Sequence, residues 1–509
     1  MRPNIEHPQS NHFRQAHRGA HPASAGRPAL VGKAILGVLL GACFLALPAL
    51  AQSPVTLTIT NSPGFAIPND FGGLSFGAVA ELPGTGEVSG DFFCGTNTQL
   101  ITLFKNSGLH HLRLGGTTVE GPNAAVPGRA DIDNVFAFAK AANVKVIYSL
   151  PLLNGDSATD AQTARYIWQR YRPLLDCFAI GNEPDTKRFH SSPSGAGSDP
   201  DITNDATCLE KWRKIAVAVT NAVPGAAFAG PDAAGQKWAQ AFARNLKESG
   251  LVTLITQHEY VGGRPYINKD GPERIPVRQA IDHMLSANWV TAKYPSFYTN
   301  AVLPVVNQGF QFRMTEADDY LKGITNASDS FASALWALDY MHWWAAHGCS
   351  GVNFHNTEWL KTDTVFFDSS SRTCRNNPKA YGIKAFDLGS HGRVEPVSIA
   401  NTDGLNLTAY AVGDATSLYI TVINKEHNAG GRDAMVTIAP KDFSTKKAVV
   451  MFLTTENGEV GATNGITLGG APITNQSTWA GKWRPLKFNK PAQCDLRVPA
   501  GSAAIVEIN

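Results

Sequence analysis

The stretch DCFAIGNEPD, at positions 176–185, decides the fold more than any other part of the 509-residue sequence. It begins as a short apolar run, typical of a buried parallel strand, and it ends in a turn that carries Glu183. In parallel α/β folds, chemically active side chains lie just beyond the carboxyl ends of the strands. The stretch therefore predicts a parallel strand that presents a carboxylate to a site.

Seven more apolar runs of this kind occur along the chain, separated by longer amphipathic stretches. This alternation is typical of parallel strands joined by helices. The eight runs are 72–77, 111–114, 144–150, 176–181, 226–230, 254–260, 310–316 and 351–355. Eight such units predict an α/β fold of the closed (β/α)8 TIM-barrel type.

The amphipathic stretches between the runs predict helices that pack on the barrel. Asp131 is a candidate N-cap for the segment around Phe136. The last of these segments carries Trp336, Trp343 and Trp344 on an apolar stripe at helical spacing. Because such a stripe forms core far more often than a sugar-binding platform, we expect these tryptophans to be buried.

The pattern changes after about position 389, where short stretches alternate between apolar and polar residues. This predicts a C-terminal antiparallel β-sandwich, to which the alternating stretch 55–60 could add a strand. We therefore divide the chain into four parts. These are an N-terminal extension with a signal peptide (1–51), a strand joining the sandwich (52–64), the catalytic barrel (65–388) and the β-sandwich domain (389–509).

The first 51 residues have the features of an export signal. A basic, polar stretch leads into an apolar run at 34–47, and the small residues at 49–51 offer a cleavage site. A single-pass anchor is the competing interpretation, but the run is shorter than the roughly 20 residues that span a bilayer. We expect cleavage near Gln52 and a periplasmic or secreted protein without stable membrane insertion.

The charge of the remaining chain argues against a nucleic-acid partner. The leader holds five of the 44 basic and one of the 42 acidic residues, which leaves 39 against 41. Proteins that bind polyanions through a basic face usually have a surplus of lysine and arginine. The remaining six cysteines permit disulfides in an oxidising compartment, but none has the spacing of a metal site.

A second carboxylate matches Glu183 across the predicted barrel: Glu316 ends the seventh run, and Glu183 follows the fourth. Hydrolysis of a glycoside with retention needs two carboxyls roughly 5 to 5.5 Å apart, one to protonate the leaving oxygen and one to attack the anomeric carbon. For either glutamate alone, a surface ion pair at a strand end is the alternative. Together they predict Glu183 as acid/base and Glu316 as nucleophile.

Polar residues that end the second and sixth runs would complete such a site. Tyr260 could donate a hydrogen bond to the nucleophile, and His258 could contact sugar hydroxyls. His258 does not begin a zinc motif, because Gly262 occupies the position of the second histidine, so we predict neither a metal nor a cofactor. Arg113 would lie beneath the nucleophile, with a buried structural ion pair as the equal alternative.

These residues also resemble known sequences. GNEP, at 181–184, resembles the acid/base motif of the large clan of retaining (β/α)8 glycosidases. LRLGGTTVE at 112–120, QHEY at 257–260 and TEADDY at 315–320 resemble glycoside hydrolase family 79, the β-glucuronidases and heparanases. The resemblance spans the barrel and the sandwich, and PKAYGIKAF at 378–386 is similar to the last barrel helix of that family.

The resemblance implies roles for individual residues. Glu183 would be the proton donor, Glu316 the nucleophile and Asn182 a partner of the sugar 2-hydroxyl. Family members recognise the glucuronate carboxylate through a tyrosine and glycine amides, for which Tyr320 and Gly323 are the candidates here. The full set of candidate substrate-binding residues is Asn182, His258, Tyr260, Arg113, Gly116, Thr117, Tyr320 and Gly323.

The chain departs from the family after the eighth run, where NFHNTEW at 353–359 lacks the expected glycines and tyrosine. Glu358 would repel a substrate carboxylate if it pointed inward, whereas Lys361 could provide a compensating charge. The resemblance implies a β-glucuronidase or heparanase-like enzyme that cleaves glucuronide-containing oligo- or polysaccharides by double displacement. A retaining β-glycosidase acting on neutral sugars and a non-catalytic carbohydrate-binding protein are the alternatives.

Overall fold

The fold was obtained as a computed structural model. It describes residues 54–84, 90–120, 123–185, 206–264, 275–443, 446–490 and 492–509. The segment for which a signal peptide is expected, 1–51, lies outside the described residues.

The described strands are β1 (Val55–Thr60), β2 (Gly72–Gly77), β3 (His111–Gly115), β4 (Lys145–Leu150), β5 (Leu175–Ile180), β6 (Phe228–Ala233), β7 (Val252–Tyr260), β8 (Gln311–Asp318), β9 (Val352–Asn356), β10 (Val365–Asp368), β11 (Thr373–Asn376), β12 (Arg393–Glu395), β13 (Val397–Ala400), β14 (Leu407–Gly413), β15 (Leu418–Asn424), β16 (Ala434–Lys441), β17 (Ala448–Thr454), β18 (Thr467–Leu468), β19 (Arg484–Leu486), β20 (Phe488–Lys490), β21 (Gln493–Val498) and β22 (Ser502–Ile508).

The described α-helices are α1 (Thr98–Asn106), α2 (Arg129–Ala142), α3 (Ser157–Tyr171), α4 (Ala206–Ala222), α5 (Gln236–Leu246), α6 (Val277–Met284), α7 (Tyr294–Phe297), α8 (Leu303–Val306), α9 (Phe331–Ala346) and α10 (Lys379–Gly389). Short 3₁₀ or π segments lie at Ala78–Glu81, Thr117–Val119, Lys247–Ser249, Trp289–Lys293, Tyr298–Val302 and Glu456–Gly458. Within the described ranges, none of the helices combines the length and the apolar character that a bilayer span requires.

Strands β2 to β9 form a closed parallel barrel in chain order, and β9 pairs with β2 to close it. Each strand overlaps one of the eight apolar runs, so the predicted (β/α)8 fold is confirmed. Most residues of the runs are apolar because both faces of these strands are covered, by the barrel interior and by the helices. Strand β6, the fifth strand of the barrel, extends beyond its predicted run as far as Ala233. This extension places Asp232 at the mouth of the barrel.

The C-terminal part is a β-sandwich, as predicted. One sheet has the order β13-β1-β16-β21-β20, and the other has the order β12-β14-β15-β22-β17-β18, with β19 paired to β17. The stretch VTLTIT forms β1, which buries Val55, Leu57 and Ile59 between the sheets because alternate side chains of a strand face the same side. Strand β1 pairs antiparallel with β13 but parallel with β16.

Helix α9 forms part of the core between the barrel and the sandwich. Trp336, Trp343 and Trp344 are buried, which confirms their interpretation as core residues. The helix is apolar on every side, a pattern that stabilises a helix only when it is enclosed on all faces. Its one acidic side chain, Asp339, accepts hydrogen bonds from the sandwich residues Thr408, Tyr410 and Lys425.

The start of α2 differs from the prediction. The N-cap position is Gly128 rather than Asp131, which lies within the first turn. Its carboxylate turns back and accepts a hydrogen bond from the Gly128 backbone N–H at 2.7 Å. An aspartate in the first turn stabilises the helix through the same unpaired N–H groups and the helix dipole, so the sequence signal for a helix start was correct but displaced.

Candidate active site

Glu183 and Glu316 lie close together at the C-terminal mouth of the barrel. Glu183 lies just after β5, and Glu316 lies within β8, directly beside His258 of β7. One oxygen of each carboxylate is within 4.8 Å of the other. This separation fits the roughly 5 to 5.5 Å of retaining glycosidases and is shorter than the roughly 6.5 to 9.5 Å of inverting enzymes.

Arg113 of β3 holds several groups of this site in place. Its side chain is fully buried, and its guanidinium donates to Glu316 Oε2 at 3.0 Å. It also donates to Asn182 Oδ1 at 2.8 Å and to Asp232 Oδ2 at 2.9 Å. The rigid fork of an arginine suits such multiple contacts, which a lysine ammonium would not reproduce. Arg113 therefore forms a buried ion pair, as one of the two sequence interpretations expected, and its partners include Glu316, the predicted nucleophile.

Asp232 was not identified from the sequence, although it is buried in the same cluster. Its Oδ1 accepts a hydrogen bond from Thr315, and its backbone carbonyl accepts one from the Glu183 N–H at 2.8 Å. Burial opposes ionisation, but the Arg113 guanidinium and His258 lower the pKa of Asp232 well below its usual range. The same signal that singled out the glutamates, a carboxylate at the end of a barrel strand, could have found it.

His258 is placed differently from the expectation that it contacts sugar hydroxyls. It is buried, with Nδ1 3.1 Å from Glu183 Oε1 and 4.0 Å from Glu316 Oε2. Its Nε2 faces Asp232 Oδ1 at 3.8 Å. Burial opposes protonation, but these carboxylates, above all Glu316, raise the pKa of His258 to about 10. The ring is therefore an imidazolium at neutral pH, enclosed by three carboxylates.

Two further side chains contact the other oxygen of Glu316. The Tyr260 hydroxyl donates to Oε1 at 2.6 Å, and Nδ1 of His355 lies 3.2 Å from the same oxygen and 2.9 Å from the Tyr260 hydroxyl. His355, on β9, was not identified from the sequence. Burial opposes its protonation, but Glu316 raises the pKa of His355 to about 9, so it is a second imidazolium.

The electrostatic surroundings of Glu316 suit a nucleophile. Burial of its carboxylate disfavours the charge, but His258, His355 and Arg113 lower the pKa of Glu316 well below its usual value. A carboxylate whose charge is stabilised by neighbouring cations stays ionised at neutral pH. The geometry thus combines an ionised carboxylate with a second carboxyl group on the opposite side of a narrow space.

The structure does not bring all the sequence-predicted residues into this cluster. Tyr320 is buried, and its hydroxyl lies 2.9 Å from His283 Nδ1 on α6. Gly323 has φ of +62° and packs against Thr362, where an added Cβ would clash. Tyr320 and Gly323 pack around the turn after β8, so their known contacts are structural.

The loop after β3 lies at the barrel mouth, beside β2. Gly116 has φ of +62°, and a Cβ there would lie 3.1 Å from the Gly77 backbone, so a glycine suits this close approach. Thr117 begins the short helical segment that follows and is exposed.

Three side chains of this site carry donor atoms of the kind that bind metal ions. Within the described ranges, Glu183, His258 and Glu316 present donor atoms within 4.8 Å of one another. Positive groups already neutralise the negative charge of this donor set, because Arg113 lies 3.0 Å from Glu316 and His258 is an imidazolium. The Arg113 guanidinium would repel a divalent cation placed beside Glu316, so this arrangement favours proton chemistry.

Comparison with known proteins gave matches among solved structures. No protein-family model and no curated protein matches the chain. A 4-O-alpha-L-rhamnosyl-beta-D-glucuronidase from Fusarium oxysporum 12S has a TM-score of 0.63 at 14% identity, over 89% of this chain and 99% of that chain. A GH51 arabinofuranosidase from Xanthomonas axonopodis pv. citri has a TM-score of 0.62 at 12% identity, over 90% and 100%. A monomeric beta-xylosidase from Caulobacter crescentus CB15 has a TM-score of 0.54 at 13% identity, over 89% and 99%. At these identities the similarity establishes a common fold.

Proposed function

We propose that this chain is a retaining glycoside hydrolase with β-glucuronidase activity. The observation that carries the proposal is the pair Glu183 and Glu316, whose carboxylates approach within 4.8 Å at the barrel mouth while cations hold Glu316 ionised. Barrels of this type carry their active sites at that face. Solved structures of the same fold include enzymes named for cleavage of glucuronides, arabinofuranosides and xylosides, which supports a glycan substrate.

The proposed reaction is a double displacement without a cofactor. Glu316 attacks the anomeric carbon while Glu183 donates a proton to the leaving oxygen, which produces a glycosyl-enzyme ester. Glu183 then accepts a proton from water as the water attacks the same carbon and releases Glu316. Arg113 and Tyr260 orient the two oxygens of Glu316, and Asn182, fixed by Arg113, is the proposed partner of the sugar 2-hydroxyl.

We propose His355 as the group that favours a uronic acid over a neutral sugar. The side chains of Arg113 and His258 are at most 1% exposed, whereas that of His355 is 26% exposed. His355 is therefore the cation of this cluster that a sugar bound at Glu316 can contact from the mouth. A protonated imidazole donates a charge-assisted hydrogen bond to a carboxylate, which is stronger than a bond between neutral groups.

Hydrolysis of aryl β-D-glucuronides tests the proposal. We expect wild-type activity, a loss on the order of 10³-fold or more in Glu183→Gln for a substrate with a poor leaving group, and a larger loss in Glu316→Gln. Glu81→Gln is the matched control, because Glu81 is a buried carboxylate in a separate contact with Tyr148, and its activity should equal that of wild type. Sodium azide should restore product formation in smaller side-chain variants of both glutamates. Unimpaired Glu316→Gln would contradict the proposal.

Activity on neutral sugars is the second candidate function. The observation that favours it is the Tyr320 hydroxyl, which is bound to His283 rather than presented to a substrate carboxylate. Aryl β-D-glucoside and β-D-xyloside assayed beside the glucuronide separate the two functions. Turnover of the neutral sugars alone would keep the retaining mechanism and replace the substrate class, whereas binding without turnover of any glycoside would favour a carbohydrate-binding protein.

A further inference from the structure

The carboxylate of Asp232 is buried beneath the two glutamates, where it contacts Arg113, Thr315 and His258. It is 1% exposed and carries an ion pair with Arg113 at 2.9 Å. It also accepts a hydrogen bond from Thr315, the residue before Glu316. Its backbone N–H donates to Thr256 at 2.9 Å, so the main chain on this strand is fixed as well. The reaction steps proposed above give Asp232 no role.

Asp232 also faces the ring that connects the two catalytic carboxylates. His258 directs Nδ1 toward Glu183 at 3.1 Å and Glu316 at 4.0 Å, and it directs Nε2 toward Asp232 at 3.8 Å. Among the described residues, the charged groups that face His258 are these three carboxylates and, at the far side of Asp232, the Arg113 guanidinium. Two of the three carboxylates change charge during the reaction, and Asp232 does not.

The retaining mechanism moves one negative charge between the catalytic carboxylates. Before the first step, Glu316 is ionised and Glu183 holds a proton; in the glycosyl-enzyme, Glu316 is a neutral ester and Glu183 is ionised. A cation between them stabilises whichever carboxylate is ionised and therefore favours neither half-reaction. It does so only if it keeps its proton throughout.

Of the groups that raise the pKa of His258, Glu316 has the largest effect, followed by Asp232 and Glu183. Formation of the ester removes the Glu316 contribution. At that point Asp232, which is ionised because Arg113 and His258 hold its pKa well below the usual range, is the anion that does not depend on the reaction step.

We propose that Asp232 is a positioning residue that keeps His258 positively charged in both half-reactions, so that one fixed cation serves Glu316 and Glu183 in turn. The inference rests on the proposed retaining mechanism. In the first step the bond from the anomeric carbon to Glu316 forms, the bond to the leaving oxygen breaks, and the Glu183 proton moves to that oxygen. In the second step water replaces Glu316 and returns a proton to Glu183, and His258 neither gains nor loses a proton.

The Asp232→Asn variant tests the proposal, because asparagine keeps the shape and an acceptor for Arg113 but removes the charge. With a dinitrophenyl β-D-glucuronide, whose leaving group makes the first step fast, we expect the glycosyl-enzyme to accumulate. The variant should show a burst of phenolate followed by steady turnover slower by about tenfold or more. The alkaline limb of its pH profile should shift toward lower pH, because loss of an anion destabilises the imidazolium.

A merely structural role would give a different result. If Asp232 only maintained the fold, the burst rate and the steady rate would fall together and the alkaline limb would not move; that result would overturn the proposal. Thr315→Val is the matched comparison, because it removes one hydrogen bond of Asp232 but leaves the carboxylate charged. We expect it to slow turnover without a burst and without a shifted alkaline limb.

A measurement on the wild-type chain keeps the test independent of whether the variants fold. The ring nitrogen chemical shifts of His258, assigned by comparison with His258→Gln, report its protonation. We expect both nitrogens to stay protonated above neutral pH in the free enzyme and after Glu316 is trapped as an ester by a 2-deoxy-2-fluoro glucuronyl donor. A neutral ring in the trapped enzyme would overturn the proposal. Failure of wild type to turn over or trap any glycoside would instead contradict the proposed function, while the titration of His258 in Asp232→Asn would still measure the effect of Asp232.

Discussion

At the scale of single residues, the site is a balance of charges around Glu316. Arg113 and His258 contact one oxygen of this carboxylate, and Tyr260 and His355 contact the other. These partners hold the charge of Glu316 in a position where burial alone would favour a neutral carboxyl. Glu316 in turn raises the pKa of both histidines, and Asp232 and Glu183 also raise that of His258.

His355→Gln tests the proposed preference for a uronic acid. Glutamine keeps a hydrogen-bond donor near Glu316 but carries no charge. We expect the ratio of kcat/KM for an aryl glucuronide to that for its methyl ester, which has the same shape without the charge, to fall roughly tenfold to a hundredfold.

The control for this substitution is Tyr260→Phe. It removes the other hydrogen bond to Oε1 of Glu316 without a change of charge, so it should slow both substrates and leave their ratio unchanged. An equal loss on acid and ester in His355→Gln would mean that His355 acts on the nucleophile and not on the substrate carboxylate.

At the scale of elements, the ends of the barrel strands supply the site. Strands β3, β6, β7, β8 and β9 contribute Arg113, Asp232, His258, Glu316 and His355, and Glu183 follows β5. The short segment after β2, Ala78–Glu81, buries a further carboxyl group, that of Glu81, beside the Tyr148 hydroxyl. Burial raises the pKa of Glu81 to about 8, with Asp131 adding to the effect and the Tyr148 hydroxyl opposing it.

Glu81→Gln should therefore stabilise the protein as the pH rises. Below about 4.5, the usual pKa of this carboxyl, Glu81 is protonated whether the chain is folded or not. Between about 4.5 and about 8 the unfolded chain loses the proton and the folded chain keeps it, so the wild type loses stability across this interval. In urea unfolding, the free energy of unfolding of the variant should exceed that of wild type by on the order of 2 to 4 kcal/mol at about pH 8. Below about pH 4.5 the two should differ little. A difference independent of pH would refute this explanation.

At the scale of the whole molecule, the barrel and the sandwich share secondary structure and a buried ion pair. Strand β1 precedes the barrel in the chain but lies in a sheet with β13 and β16. Asp339 of α9 meets Lys425 of the sandwich at 2.6 Å, and both side chains are buried. Since neither charge can reach water, each depends on the other part of the molecule.

Lys425→Met should therefore destabilise the entire protein. It leaves the Asp339 carboxylate buried with only the hydroxyls of Thr408 and Tyr410, and we expect the free energy of unfolding to fall by about 3 to 5 kcal/mol. Arg278→Met is the control, because its ion pair with Asp282 is exposed and should contribute less than about 1 kcal/mol. Denaturant unfolding followed by fluorescence measures the stability of both variants. Equal destabilisation by the two substitutions would contradict a special contribution of the buried ion pair between Asp339 and Lys425.

The fold could be predicted because its signals are local. The eight apolar runs and the alternating strands of the sandwich each depend on a few consecutive residues, and the period of a strand or helix is set by its own backbone. The positions of Glu183 and Glu316 followed from the same rule, since strand ends in a parallel barrel meet at one face. Errors at this level were small, such as the N-cap of α2, which is displaced from Asp131 to Gly128.

By itself, the sequence determined the class of fold, the meeting of two glutamates at one face of a barrel, and the burial of the tryptophans of α9. The tertiary structure decided which side chains contact those glutamates: it brought in Asp232 and His355 and directed Tyr320 toward His283 instead. The physical reason is that such contacts join residues far apart in the chain, as Arg113 and Glu316 are. Their geometry depends on the register of neighbouring strands, the extent of each strand and the burial of each charge, and these are properties of the closed barrel as a whole.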